Sequence, residues 1–157
     1  MLVKDKEARR LSKVKISIMR NPKFALWSGL MTVGKTKVDD DCPTACTNGR
    51  DETYGREFIK QLDDKELAFV VLHEIMHKAY RHLTTWKKLH DENAALANAA
   101  CDYVINLQLV DMDKQQSLLA MPMRDGSISI LYWHIELSYV QFGTKGRRSL
   151  TQASINL

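Results

Sequence analysis

Proline and glycine are scarce in this chain, three and seven in 157 residues. Helices can therefore run long between breaks, and collagenous or Pro/Gly-rich low-complexity classes are excluded. The cysteines, Cys42, Cys46 and Cys101, are an odd set in a chain long enough to build its own core, which argues against a disulfide framework. Cys42 and Cys46 as half of a second metal site is the weaker reading, because they have no partner pair. No uncharged apolar run approaches the roughly 20 residues that cross a bilayer. The longest apolar stretch, around Leu67 to Met76, is interrupted by His73 and Glu74. The opening residues are charged where a signal peptide needs an apolar segment, so a cytoplasmic protein with no membrane partner is expected. A concentrated basic face is missing as well. The net charge of +4 is spread along the chain, apart from Lys145, Arg147 and Arg148, so nucleic acid is not an expected partner and residues 143–157 read as a flexible, solvated tail.

What is present has the composition of a globular protein, 45% hydrophobic and 27% charged, and suits a single domain over residues 1–157. Leu11, Val14 and Ile18 recur at helical spacing and predict an amphipathic N-terminal helix ending near Asn21 and Pro22, with Arg9, Lys13 and Arg20 facing solvent. Residues 31–38 suit a strand with one wet face. The acidic triplet Asp39, Asp40 and Asp41 lacks the alternation of a calcium loop and reads as a charged turn before Pro43. Residues 44–47 and 51–54 flank Asn48-Gly49-Arg50, as two short strands joined by a tight loop would.

The best-specified start in the chain follows. Asp63 can cap a helix, Glu66 stands three residues on for the reciprocal contact, and Leu62 and Leu67 supply an apolar pair across the cap. This predicts a helix from about Asp64 to His82, with Leu72, Ile75, Met76, Ala79 and Leu83 toward the core and Val70, His73, Glu74, His77 and Arg81 on another side. Residues 86–93 read as a polar connection, and residues 94–110 as a second long helix whose alanines permit close approach to the first. Beyond a turn at residues 121–126, the segment 128–140 fits strand or helix equally.

The chemistry concentrates in His73-Glu74-Ile75-Met76-His77. Two histidines four apart on a helix project from adjacent turns and can converge on one zinc ion, and Glu74 is then placed to take a proton from the water that such a metal activates. A catalytic zinc needs a third protein ligand. His82 is one candidate, but on an unbroken helix it lies about 140° round from His77, and no glycine follows Arg81 to turn the chain. Asp102 is favoured. It lies midway along the second helix among apolar neighbours, where a carboxylate is costly unless paired or metal-bound, and Asn98 and Asn106 share its face as partners for the ligands' outer atoms. A salt bridge from Asp102 to Arg81 is the bland alternative. His90 and His134 read as local packing or surface residues, although His134 can donate to an oxyanion if its segment folds over the cleft. The strands before the motif offer an edge to which an extended peptide can add.

The stretches PTACTNGRDETYGREFI, LDDKELAFVVLHEIMHKAYRH and NAACDYVINLQL, spanning residues 43–110, resemble the putative metallopeptidase domain family of bacteria and phages, whose members are often joined to a von Willebrand A-like domain. His73, Glu74, His77 and His82 match its HExxHxxxxH pattern, and Asn98, Ala100, Asp102, Ile105 and Asn106 match its downstream segment. The resemblance implies a zinc hydrolase with the metal between two helices, and a bacterial or phage origin, hence the host cytoplasm if phage-encoded. The expected architecture is α+β and zincin-like: a small antiparallel or mixed sheet on two long helices that share a Zn2+ site, plus the N-terminal helix. The expected activity is that of a zinc metalloendopeptidase acting on polypeptide. The alternatives are a zinc-stabilised interaction domain with a protein partner and His82 as a fourth ligand, and a hydrolase of non-peptide amides.

Overall fold

The computed structural model describes residues 5–124 and 127–128. Helix α1 (Lys6–Arg20) starts at Asp5, whose side chain accepts the Ala8 N–H, and it buries Leu11, Val14 and Ile18 as its periodicity predicts. Arg9, Lys13 and Arg20 are exposed. A 3-10 turn (Ala25–Trp27) and the short helix α2 (Ser28–Met31) follow. The strand expected over residues 31–38 begins only at Thr36. Gly34 sits at φ +82, and the Lys35 N–H bonds to Asp51 Oδ1, so the chain turns before it can pair.

Strands β1 (Thr36–Asp39), β2 (Ala45–Thr47) and β3 (Glu52–Gly55) form a mixed sheet in the order β1-β3-β2. The β2–β3 pair is the expected hairpin, with Ala45 opposite Tyr54. Its loop is held by Asn48, whose side-chain oxygen accepts the N–H groups of Arg50 and Asp51. β1 joins β3 in parallel, Val38 opposite Tyr54. β3 is therefore the central strand, and of the two sequences considered as edges only β2 is one. Gly55 closes β3 where the carbonyl of Cys42 passes so near that a Cβ would stand 2.1 Å from it.

After α3 (Arg56–Gln61), helix α4 (Asp64–Ala79) opens with the full capping box: Asp63 accepts the Lys65 and Glu66 N–H groups, and Glu66 accepts the Asp63 N–H. Two expectations for this helix are corrected. It ends at Ala79 rather than His82, and it is not amphipathic, because every residue from Leu67 to Lys78 is buried. A helix wrapped on all sides needs no polar face. Here α1, α2, β2 and α6 supply the wrapping.

Arg81 takes a left-handed conformation (φ 52, ψ 40), and α5 (His82–Thr85) starts directly after it. The expected polar connection is helical: α6 runs Lys87–Met112 with a break at Asn93, whose side chain accepts the Leu96 N–H and so caps the expected second helix. Ala97, Cys101, Asp102, Ile105, Asn106 and Leu109 form its buried stripe. Ile105 and Leu109 belong to one core with Leu72, Ile75 and Met76 of α4, all at most 1% exposed. Each such side chain contributes on the order of 1.5–3 kcal/mol by leaving water. Beyond α6, the buried Asp113 accepts the N–H groups of Leu118 and Leu119, and Ala120 N–H bonds to Lys65 O, which returns the chain to the start of α4. β4 (Met123–Arg124) and β5 (Ser127–Ile128) pair antiparallel. Among the described residues no helix is long and apolar enough to cross a membrane. Residues 129–140 and the tail at 143–157 lie outside the described residues.

Candidate metal centre

α4 presents His73 and His77 from adjacent turns, and α6, packed alongside, presents Asp102 and Asn106 one turn apart. All four are inside, from 0% exposed for Asp102 to 5% for His77 and Asn106. His73 Nε2 lies 3.0 Å from His77 Nε2, His77 Nε2 lies 2.9 Å from an Asp102 carboxylate oxygen, and His73 Nε2 lies 3.4 Å from that same oxygen. Asn106 Oδ1 accepts from His73 Nδ1 at 2.9 Å. With its proton committed there, a neutral His73 turns the lone pair of Nε2 toward His77 and Asp102.

This donor set fits a divalent metal. A tetrahedral zinc with ligands at about 2.0–2.1 Å holds them about 3.3–3.4 Å apart, against the 2.9–3.4 Å found. The electrostatics agree. Burial lowers the His77 pKa, against the opposing pull of Asp102, so the ring resists protonation. Two imidazole nitrogens and a carboxylate oxygen, buried together, converge on one point, an arrangement that a cation stabilises. Among the described residues this is the group of His, Cys, Asp and Glu side chains close enough to hold a metal.

The remaining expected residues fall around this centre. Glu74 is 1% exposed, and its charge reaches His77, Tyr54, Cys42 and Cys46. Those two thiols engage each other: the contact with Cys46 holds Cys42 down at about 7, while the same contact and burial push Cys46 up. They form no metal cluster with a third ligand among the described residues. Of the two asparagines, Asn106 holds His73, while Asn98 is half-buried one turn before Asp102 on α6. Arg81 is exposed and makes no ion pair with Asp102 among the described residues. The left-handed turn at Arg81 carries His82 back into the fold without a glycine. His82 is 6% exposed, and its Nδ1 lies 3.0 Å from Nδ1 of His77, on the far side of that ring from Asp102. Burial first, and His77 second, lower the His82 pKa to about 4. His90 is half-buried in the first part of α6, and His134 lies outside the described residues.

Two groups escaped the sequence reading. Lys78, directly after His77, is 5% exposed and donates to Glu52 Oε1 at 2.7 Å and to the carbonyls of Leu30 and Val33. Glu52 also accepts from Lys15, Thr36 and Tyr54. This buried network pins the end of α4 to β3, and the only sequence sign of it is a lysine inside an apolar run. An apolar cavity of about 530 Å³ adjoins the centre, its wall including Tyr80, His82, Trp86, Leu89, Cys101 and Val104.

Fold and site together define a mixed α+β protein with a buried His/His/Asp cluster of metal-binding type between two helices. The chain matches the putative metallopeptidase domain family over residues 7–142 and belongs to it. No curated protein and no solved structure matches it.

Proposed function

We propose that the protein is a zinc-dependent hydrolase of zincin-like build, acting as a metalloendopeptidase on polypeptide. The observation that carries this reading is the convergence of His73 Nε2, His77 Nε2 and an Asp102 oxygen within 3.4 Å of one another, one residue from Glu74, in a chain of a metallopeptidase family. His73, His77 and Asp102 hold the ion, and Asn106 fixes the ring of His73. A zinc ion held by these residues would supply Lewis-acid polarisation of a carbonyl and a water of lowered pKa. Glu74 is the catalytic base. Its carboxylate accepts the proton of the attacking water and returns it to the departing amine, and its burial keeps that proton from bulk solvent. A polypeptide substrate is supported by β2, whose outer edge pairs with no strand among the described residues, which packs on α4 and whose Cys46 feels the charge of Glu74. An extended peptide can add to that edge.

The test is Glu74→Gln. Zinc content stays near one per chain, while cleavage of an unfolded protein substrate falls by about 100-fold or more. Retained cleavage would remove Glu74 from the mechanism. Loss of zinc in His73→Ala and Asp102→Ala, read by metal analysis after dialysis, checks the ligand set.

A further inference from the structure

We infer that His82 is a positioning residue for His77: its Nδ1 accepts a hydrogen bond from the Nδ1–H of His77 and thereby fixes the ring and tautomer that present His77 Nε2 to the metal. The inference rests on the metal-site reading above. The geometry is direct. The two Nδ1 atoms are 3.0 Å apart, while His77 Nε2 faces Asp102 at 2.9 Å. A neutral imidazole that gives one nitrogen to a metal carries its proton on the other. His77 then has Nδ1–H as a donor, and the atom opposite it is His82 Nδ1. His82 must offer a lone pair there and carry its own proton on Nε2. His73 is held in the same way by Asn106, at 2.9 Å. Both ligand rings are thus gripped through the nitrogen that does not face the centre, as metal-bound histidines generally are.

The backbone is bent to this end. On a continued α4, His82 would project about 140° away from His77. The left-handed Arg81 breaks the helix, α5 restarts at once, and His82 is delivered to a 6% exposed position with its ring centroid 5.0 Å from that of His77, edge to face. A non-glycine residue in that conformation costs about 1 kcal/mol or more. The buried ring contact is what the turn achieves.

The test compares the full-length wild type with His82→Leu and His82→Asn, whose amide oxygen can stand where Nδ1 accepts. Zinc affinity is read by competition with a chromophoric chelator. The expected result is a 10–100-fold loss in His82→Leu and recovery to within a few-fold of wild type in His82→Asn. The visible spectrum of the cobalt(II) forms should be the same in wild type and His82→Asn. A band shift in the variant would make His82 a metal ligand and overturn the inference, as would wild-type zinc affinity in His82→Leu. Should His82→Leu fail to fold, long-range 1H–15N spectra of the zinc-loaded wild type decide: protonated Nδ1 on His77 and bare Nδ1 on His82 are expected, and a proton on His82 Nδ1 overturns it. Failure of the wild type itself to bind zinc would refute the metal site instead, which keeps the two failures distinct.

Discussion

Replacing Asp102 by asparagine should change stability in opposite senses with and without zinc. The carboxylate is 0% exposed, 2.9 Å from one imidazole nitrogen and 3.4 Å from another, and the His77 ring resists the proton that would make an ion pair. In the metal-free protein burial costs that carboxylate its hydration. Asp102→Asn keeps the shape and removes the charge, so the stability of the chelator-treated variant should equal or exceed wild type, within about 1 kcal/mol. With zinc present the role proposed for the carboxylate is that of a ligand. At a free zinc concentration 100 times the wild-type Kd, binding stabilises the wild type by about 2.7 kcal/mol. For a chain of this size that is a rise in Tm of about 5–11 °C. If losing the ligand weakens binding about 100-fold, the same zinc concentration leaves about 0.4 kcal/mol and a rise of about 1–2 °C. Paired thermal melts in chelator and in buffered zinc give both numbers. A loss of several kcal/mol in the metal-free variant would instead make Asp102 a structural ion-pair partner. A zinc-dependent rise in Asp102→Asn equal to that of wild type would refute its role as a ligand.

Glu52→Gln takes the carboxylate from the buried Lys78 ammonium, 2.7 Å away, and should cost about 3–5 kcal/mol in urea denaturation. A loss below about 1 kcal/mol would mean that the carbonyls of Leu30 and Val33 suffice. Gly34→Ala places a Cβ 2.0 Å from the Arg50 carbonyl oxygen at φ +82, so a loss of more than about 1 kcal/mol is expected, and an unchanged denaturation midpoint would contradict the turn. For pH, His77 lies below its ordinary value in the folded protein and His82 near 4. The unfolded chain therefore binds more protons between about 6.5 and 4, and the metal-free protein should lose stability as pH falls through that window. His82→Asn should flatten part of the slope, and an unchanged slope would count against the buried, neutral His82.

Some elements were readable because their causes are local. The capping box at Asp63 and Glu66 involves four consecutive residues, and the α1 stripe of Leu11, Val14 and Ile18 is a matter of spacing alone. The hairpin at Asn48 rests on one side chain bonding to its own loop. The errors arose where a distant partner overrode the local signal. The strand expected from residue 31 is cut short by Asp51, sixteen residues after Lys35. The all-round burial of α4 depends on which elements surround it, and the ion pair of Lys78 with Glu52 spans twenty-six positions.

For the site, spacing alone puts His73 and His77 on one helix face with Glu74 beside them, because a period of 3.6 residues leaves no other arrangement on a helix. It made Asp102 a strong candidate through the cost of a carboxylate on an apolar stripe. How these groups meet depends on the packing of the folded chain. The contact between α4 and α6 sets Asp102 against both rings, and the left-handed Arg81 places His82 behind His77 rather than beside Asp102. That choice rests on one pair of backbone angles with no glycine to mark it. Its cost is offset by burial and a ring contact that exist only once the chain has folded.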